Sequence, residues 1–167
     1  YISDPAKLRE AMKELKKLAP VVEKFREYKD WVKRTKEAEE LLKKVDLYEN
    51  KDDLSTSLPY GKQRHLEIAR ALATHPKILL LDEPTSQLDP IAATGFINVL
   101  RKINLELGTT VIIAEHRLEE VFPIADRVAV MDGGKLISCD TPENICKNLA
   151  GNPISVGFPA AARIFAG

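Results

Sequence analysis

The chain of 167 residues carries 25 basic and 25 acidic side chains, so its formal net charge is zero. This balance excludes a global electrostatic field that would recruit nucleic acid or an anionic membrane. No apolar run approaches the roughly 20 residues of a membrane-spanning helix, and two cysteines without a signal peptide indicate reduced thiols, not a disulfide framework or a zinc site. We therefore expect a soluble cytoplasmic protein with no direct membrane insertion and no nucleic-acid partner.

Residues 1–52 form a charge-dense region whose apolar residues have the spacing of a helix. Asp4 and Pro5 supply a capping carboxylate and a proline at the first helical position. Pro20 lies inside the periodic stretch and predicts a bend or a break into two helices. The pattern predicts a long N-terminal helix or a helical hairpin with one apolar stripe. The stripe consists of Leu8, Ala11, Leu15, Leu18, Val22, Phe25 and Val32.

Short aliphatic segments between residues 53 and 150 predict strands. Segments 77–83 and 109–116 are typical of buried strands, because apolar runs without alternation need cover on both faces. Segment 127–134 predicts a third strand, and its terminal Gly133-Gly134 pair predicts a hairpin into "KLISCD".

Helical segments alternate with these strands. Alternation of strands and helices predicts an α/β fold with a mainly parallel sheet covered by helices. Gly108 is expected to end the second of these helices, and Thr141 to cap the last. Residues 151–167 form a C-terminal tail. The predicted helices are 63–75, 91–108, 117–126 and 141–150.

Two carboxylates end the first predicted strand. Asp82 and Glu83 lie at its carboxyl edge, where ligands of open α/β sheets bind. In a nucleotide hydrolase the first carboxylate would hold Mg²⁺ and the second would orient or polarise the attacking water. The alternative is a pair of acids that only ends a core strand.

Two further polar groups arrive at the same edge. His116 ends the next strand in "IIAEH", and Asp89 follows the acidic pair in "SQLDP". A neutral imidazole at this edge can hydrogen-bond a terminal phosphate or the attacking water. The alternative for such a histidine is a purely structural group.

The segment "LPYGKQ" precedes these residues and predicts an anion site. Gly61 closes a short turn, and Gln63 opens a helix whose first free N–H groups attract an anion. An ordinary helix start is the alternative.

The order and spacing of these segments resemble the ATP-binding subunits of ABC transporters over residues 54–167. "LPYGKQ" resembles the signature loop, "ILLLDE" the Walker B segment, "SQLD" the D-loop and "EH" the switch histidine. Within the family, the Walker B and switch segments resemble energy-coupling-factor importers, and "LPYG" resembles branched-chain amino-acid importers.

The resemblance implies part of a P-loop NTPase fold and ATPase activity with ATP and Mg²⁺. It implies that Asp82 binds the metal, that Glu83 and His116 are catalytic, and that Asp89 links two subunits. It assigns nucleotide binding to Ser57, Pro59, Tyr60, Gly61, Lys62, Gln63 and Asp89.

The signature segment departs from the family pattern at two positions. Pro59 stands where the family has a serine whose hydroxyl helps hold the terminal phosphate, and Tyr60 replaces a glycine. Ser57, or the backbone N–H groups of Gly61 and Lys62, could substitute in part.

A second departure concerns the phosphate-binding loop. The 167 residues contain no GxxxxGK[ST] segment: Gly61-Lys62 is followed by Gln63, and Gly134-Lys135 by Leu136. Such a loop supplies a nest of N–H groups, a lysine for the γ-phosphate and a hydroxyl for Mg²⁺. In the family its strand lies between the histidine strand and the strand "RVAV", so these two edges should pair directly, stay open or be covered by the N-terminal helix.

These observations predict an ATP-binding component of an importer that is inactive alone. Its partners would be a second ABC ATPase subunit and a membrane-embedded transporter subunit, which would hold it at the inner face of the cell membrane. The alternative is a mosaic or truncated non-catalytic module that acts as an interaction protein.

Residues 2–42 resemble the N-terminal helical domain of bacterial class I peptide-chain release factors, including the internal proline. The catalytic GGQ of release factors is absent, so the resemblance implies no termination activity. A generic solvated helix, or an enlarged helical subdomain of an ABC protein, is the alternative.

Overall fold

A computed structural model describes residues 5–116, 118–148 and 159. The chain divides into two compact units between Leu41 and Leu42. Helix α1, Pro5–Lys44, is continuous, so the predicted break at Pro20 is wrong. A proline removes one backbone hydrogen bond, and the turns on both sides of Pro20 remain helical. The loss of one bond therefore does not end the helix.

The apolar stripe of α1 is exposed. No residue of this helix is buried, and Leu15 and Trp31 keep 71% and 65% of their surface accessible. The helix therefore contributes no side chain to the hydrophobic core. Among residues 5–116 and 118–148, no helix combines the length and the apolar character that crossing a lipid bilayer requires.

The second unit contains the remaining helices and all the described strands. Its helices are α2, Tyr60–Leu72, α3, Pro90–Leu107, α4, Leu118–Val121, and α5, Pro142–Asn148. Its strands are β1, Ile78–Asp82, β2, Thr110–Ala114, β3, Val128–Asp132, and β4, Lys135–Asp140. Single 3₁₀ turns lie at Tyr48–Asn50, Ser55–Ser57 and Phe122–Ile124.

The four described strands form two separate sheets. Strands β1 and β2 pair in parallel from Ile78 opposite Thr110 to Asp82 opposite Ala114. Strands β3 and β4 form the predicted antiparallel hairpin through Gly133-Gly134. The α/β class is confirmed, but the parallel part is limited to β1 and β2. Within the described strands β2 and β3 do not pair, so direct pairing of these two edges is not the outcome.

Helix α3 supplies the largest part of the core. It begins after Asp89, with Pro90 at its first position, and ends at Gly108, whose φ of 63° is left-handed. Glycine adopts this conformation without steric cost, so the predicted end at Gly108 is confirmed. The buried residues of α3 share one face: Ala93, Phe96, Ile97, Val99, Leu100 and Ile103.

Strand β1 is buried on one face at Leu79, and the same face of β2 is only half-buried. Leu79 is 6% exposed, whereas Leu80 is 72% and its register partner Ile112 is 52% exposed. The expectation of cover on both faces is therefore wrong. Successive side chains of a strand point to opposite faces, and in the described residues only the face of Leu79 is packed.

A second small core lies beyond β2. It consists of Phe122, Val130, Ile145 and Cys146, against which Leu118 and Val128 are partly buried. Helix α5 is anchored to it, and the Thr141 hydroxyl accepts the N–H of Asn144 at 3.4 Å. The predicted cap at Thr141 is thus present. Residues 149–150 of the predicted helix and the tail 151–167, except Pro159, lie outside the described residues.

Candidate nucleotide site

The carboxyl edge of the parallel pair brings Glu83 and His116 together. The backbone N–H of Glu83 donates to the carbonyl oxygen of Ala114 at 2.9 Å, which continues the ladder by one residue beyond β1. His116 Nε2 lies 2.9 Å from Glu83 Oε1, and the two side chains are 86% and 48% exposed. The two predicted catalytic groups therefore form one contact that is open to solvent. Their catalytic roles stay predictions.

Glu83 has an unusual backbone conformation. Its φ is +43°, a left-handed value that disfavours residues with a Cβ atom. The next residue, Pro84, begins a turn in which Ser86 N–H donates to the Glu83 carbonyl at 3.1 Å. The chain thus turns sharply away from β1 at the residue whose carboxylate meets His116, and the surrounding contacts must hold that turn.

Thr85 and Glu115 hold the two loops together. Thr85 is only 2% exposed. Its N–H and its hydroxyl both donate to Glu115 Oε1, at 2.8 and 2.5 Å. The second oxygen of Glu115 accepts the N–H of His116 at 3.1 Å. The loop after β1 is therefore joined to the loop after β2 by one carboxylate.

Neither Thr85 nor Glu115 was singled out from the sequence. A polar residue next to a proline turn, and an acid at the end of a parallel strand, are both common at loop starts. One general rule could have pointed to this pair: a buried polar group needs a hydrogen-bond partner. The sequence also predicts that the strand containing Glu115 ends at the same edge of the sheet as Asp82 and Glu83. Sequence alone did not show that Glu115 faces Thr85.

Asp82 ends β1 as an exposed carboxylate. The described residues contain no group of three or more His, Cys, Asp or Glu side chains that could hold a metal ion. Mg²⁺ in phosphate sites usually keeps several waters and takes one or two carboxylates together with phosphate oxygens. Asp82 fits a single carboxylate ligand of that kind, and a nucleotide would have to complete the coordination.

Asp89 caps helix α3. Its Oδ1 accepts the N–H groups of Ile91 and Ala92, each at 3.0 Å. These are two of the N–H groups at a helix start that have no intrahelical partner. The structure therefore gives Asp89 a role within its own chain, while the link to a second subunit stays a prediction.

Helix α2 begins earlier than predicted. Its first residue is Tyr60, not Gln63, and Pro59 precedes it without a capping side chain. The Pro59 carbonyl accepts the first helical bond, from the Gln63 N–H at 3.0 Å. A proline cannot shield the first-turn N–H groups with a side-chain acceptor, so the positive end of the helix dipole remains available to an anion.

The side chains of the signature segment contact neighbours within the same stretch of chain. Gln63 Nε2 donates to the Leu58 carbonyl at 2.8 Å. The Ser57 hydroxyl donates to the Leu54 carbonyl at 2.7 Å. These two side chains therefore stabilise the loop before α2, and neither is aimed freely at solvent.

Lys62 and Tyr60 are also engaged locally. Lys62 Nζ donates to Asn50 Oδ1 at 2.7 Å, and Arg64 Nη2 donates to the Tyr60 hydroxyl at 2.6 Å. A hydrogen bond to Glu67 raises the pKa of Arg64 above its ordinary value. The start of α2 therefore carries a firmly cationic guanidinium beside the tyrosine that replaces a family glycine.

Gly61 marks a close approach between α2 and α3. A Cβ atom at this position would lie 3.3 Å from Ala92 Cβ, which is tighter than an ordinary van der Waals contact. Ala92 is also one of the two residues whose N–H groups bind Asp89. The glycine of the signature segment and the cap of α3 thus meet at one place on the molecule.

The sequence is similar to those of known ATP-binding proteins. The family "ABC transporter" matches residues 4–86. The methionine import ATP-binding protein MetN of Haemophilus ducreyi is 44% identical over 114 residues, which are 68% of this chain and 33% of that protein. A putative ABC transporter ATP-binding protein of Bacillus anthracis is 45% identical over 93 residues, 56% of this chain and 17% of that protein. The release-factor likeness of residues 2–42 is not confirmed, and the family match covers most of that segment.

Solved structures show the same fold. The structure of cbiO1 from Clostridium perfringens, described as part of the ABC transporter complex cbiONQ, has a TM-score of 0.63 and 30% identity over 74% of this chain and 51% of its own. A nucleotide-free ATP-binding cassette of an ABC transporter has a TM-score of 0.64 and 30% identity over 77% of this chain and 52% of its own. The chain spans about half of these structures and a third or less of these curated relatives. The chain therefore matches the ABC transporter family over residues 4–86, has ABC ATP-binding homologues, and shares the fold of ABC ATPase cassettes in its described residues.

Proposed function

We propose that the chain is a nucleotide-binding component of an ABC importer and that its own residues act on the terminal phosphate of ATP. The contact between Glu83 and His116, with Nε2 and Oε1 2.9 Å apart, carries this proposal. Both groups lie where parallel strands end, which is where α/β sheets bind ligands.

Each group of the site has a role that its geometry allows. Glu83 polarises the attacking water through its half-exposed carboxylate. His116 donates its Nε2–H to the γ-phosphate in exchange for its contact with Glu83, which keeps the imidazole near that water. Asp82 binds Mg²⁺, which when bound neutralises charge that develops on the phosphate oxygens.

The signature segment serves a second subunit. Its first-turn N–H groups lie at the positive end of α2, and Pro59 leaves them without a side-chain cap. Asp89, beside Gly61 through Ala92, lies at the same place. We infer that Ser57, Tyr60, Lys62 and Gln63 shape this surface through their local contacts and that the phosphate meets backbone N–H groups.

The 167 residues do not hydrolyse ATP alone under this proposal, because they contain no GxxxxGK[ST] segment. Turnover at Glu83 and His116 requires another polypeptide that supplies this loop, whereas a second ABC ATPase subunit would meet the signature segment. A membrane-embedded transporter subunit then holds the assembly at the inner face of the cell membrane. The methionine import relative supports an importer, and the cbiONQ component supports a place in an ABC transporter complex.

Helix α1 belongs to the ABC domain in this proposal. The family match begins at residue 4 and therefore includes it. This favours a helical part of the ATPase domain over a release-factor-like domain.

Mg-ATP turnover tests the proposal. The purified chain is assayed alone and with a separate polypeptide that carries the GxxxxGK[ST] segment of an ABC ATPase but no catalytic glutamate. We expect turnover only in the mixture, with loss on Glu83→Gln or His116→Ala. Glu119→Gln, an exposed acid on α4, is the matched control and should retain turnover. Turnover by the chain alone, abolished by Glu83→Gln, would show that the added polypeptide is unnecessary.

Nucleotide binding separates this function from the alternative. A chain that folds stably but binds no Mg-ATP, with or without the added polypeptide, is a non-catalytic interaction module. The exposed apolar stripe of α1 is the observation that favours this second candidate.

A further inference from the structure

The carboxylate of Glu115 uses both oxygens to join two loops. Oε1 accepts two hydrogen bonds from Thr85, and Oε2 accepts the backbone N–H of the adjacent His116. Hydrogen bonds to an ionised acceptor are shorter and about twice as strong as those between neutral groups. One half-buried side chain thus fixes a residue of each loop.

Thr85 transmits this constraint to Glu83. It lies inside the turn closed by the bond from Ser86 N–H to the Glu83 carbonyl, and its own carbonyl accepts Leu88 N–H at 3.0 Å. Thr85 is therefore shared by two consecutive turns. Its own N–H is not used by either turn, and without Glu115 this donor would be buried and unpaired.

The position of Glu83 depends on these turns. Its left-handed φ of +43° is not a conformation that a glutamate adopts without support. The bond from its N–H to Ala114 fixes the backbone on the β2 side. The bonds from Thr85 to Glu115 fix it two residues later.

We propose that Glu115 is a positioning residue that sets the Glu83–His116 contact through Thr85. Glu115 does not touch the reacting groups in this assignment. It holds the loop of Glu83 and the backbone of His116 on one carboxylate, so that the two functional side chains meet. The effect of Glu115 on turnover rests on the proposed function, whereas its effect on the Glu83–His116 contact does not.

A carboxylate is required because all three partners are donors. Glutamine at position 115 would turn an amide NH₂ either toward the Thr85 donors or toward the His116 N–H, and that side would lose its acceptor. Valine at position 85 keeps the shape of threonine but removes the hydroxyl donor. Serine at position 85 keeps both donors.

Proximity of Glu83 and His116 is the readout, measured on the full chain by NMR. The cross-relaxation peak between the Glu83 γ-methylene and the His116 ring protons is compared in the wild type, Glu115→Gln, Thr85→Val and Thr85→Ser. Thr94→Val is the control, because it removes another threonine hydroxyl, one that donates to the Pro90 carbonyl at 2.9 Å. Cooperative unfolding and methyl spectra of α3 verify that each variant is folded.

We expect the peak to be lost in Glu115→Gln and Thr85→Val and kept in Thr85→Ser and Thr94→Val. A folded Glu115→Gln that keeps the peak at wild-type intensity overturns the proposal, as does loss of the peak in Thr85→Ser. If Thr85→Val does not fold, Glu115→Gln and Thr85→Ser decide the question.

Turnover with the polypeptide that supplies the GxxxxGK[ST] segment provides an independent readout. Misplacement of a reacting group by about 1 Å costs on the order of 100-fold in rate, so kcat should fall 10-fold to 100-fold in Glu115→Gln with the KM for ATP unchanged. A fall in KM alone or a rise in KM alone contradicts a positioning role. If no turnover occurs with any chain, the proposed function fails, and the NMR comparison still decides the geometry.

Discussion

Asp89 has a local role that the sequence does not predict. The sequence placed it between the acidic pair and a helix, and the resemblance assigned it to a contact between subunits. In the structure its Oδ1 accepts two N–H groups at the start of α3. Its carboxylate is therefore part of the reason why α3 begins where it does.

Replacement of Asp89 by alanine should destabilise the chain. Loss of an N-cap acceptor costs about 1 kcal/mol, within a range of roughly 0.5–2 kcal/mol. Asp89→Asn and Asp89→Ser keep an acceptor and should lose much less. Urea unfolding measures the difference, with Asp132→Ala on the exposed end of β3 as a control. Equal stability of Asp89→Ala and the wild type would contradict the capping role.

His65 is a residue that sequence reasoning did not single out. Its Nδ1 lies 2.9 Å from the Val45 carbonyl oxygen, and the centroids of its ring and the Phe96 ring are 5.8 Å apart. Burial lowers the pKa of His65 below its ordinary value, and the hydrogen bond to Val45 opposes this only in part. The folded chain therefore favours the neutral imidazole.

The stability of the second unit should consequently decrease in mild acid. The unfolded chain has a histidine pKa of about 6.5, and the folded value is lower, so between the two the unfolded state binds more protons. The contribution of the neutral His65 side chain to the unfolding free energy is complete above about pH 6.5. It is lost as the pH falls to the pKa of His65 in the folded chain. His65→Asn, compared by urea unfolding with the exposed His75→Asn, should flatten this dependence. If the unfolding free energy of His65→Asn has the same pH dependence as that of the wild type, another group is responsible for it.

The strands show how far sequence patterns reach at the scale of elements. Aliphatic runs predicted the places of β1 and β2, and the ends of those runs predicted the edge where Glu83 and His116 meet. The runs could not tell which face is packed, because every position is apolar. Likewise, Pro20 predicted a disturbance of α1 but not that the helix continues through it.

Neighbouring leucines of β1 should therefore respond very differently to truncation. Leu79 is 6% and Leu80 is 72% exposed. Leu79→Ala should cost about 2–5 kcal/mol of unfolding free energy, because it leaves a cavity. Leu80→Ala, in the same strand and with the same chemistry, should stay within about 0.5 kcal/mol. Equal losses in urea unfolding would mean that both faces are packed.

At the scale of the whole molecule, the convergence of the candidate residues was easier to predict than the contacts that support it. The order of the strands predicts that Asp82, Glu83 and His116 lie at one edge, because the ends of parallel strands converge there, and their roles stay predictions. Thr85 and Glu115 were not identified, since a contact between two loops depends on side-chain direction that no spacing encodes. Composition predicts that the N-terminal region ends at residue 52, whereas the compact units divide between Leu41 and Leu42.

The position of that division follows from burial. Val45 and Leu47 are 0% and 2% exposed, so the residues just after α1 belong to the core of the second unit. No residue of α1 is buried. The core is thus built, among the described residues, from residue 45 onward.

A chain of residues 42–167 should therefore fold by itself. Its far-UV circular dichroism should show cooperative urea unfolding, with a free energy within about 0.5 kcal/mol of that of the second unit in the full chain.

Trp31 is the single tryptophan and lies in the first unit, so its fluorescence in the full chain reports α1 alone. We expect that fluorescence to change at a different urea concentration from the truncated chain's transition, because two independent units need not unfold together. Coincident transitions in the full chain, with loss of folding on truncation, would mean that α1 is required for the core.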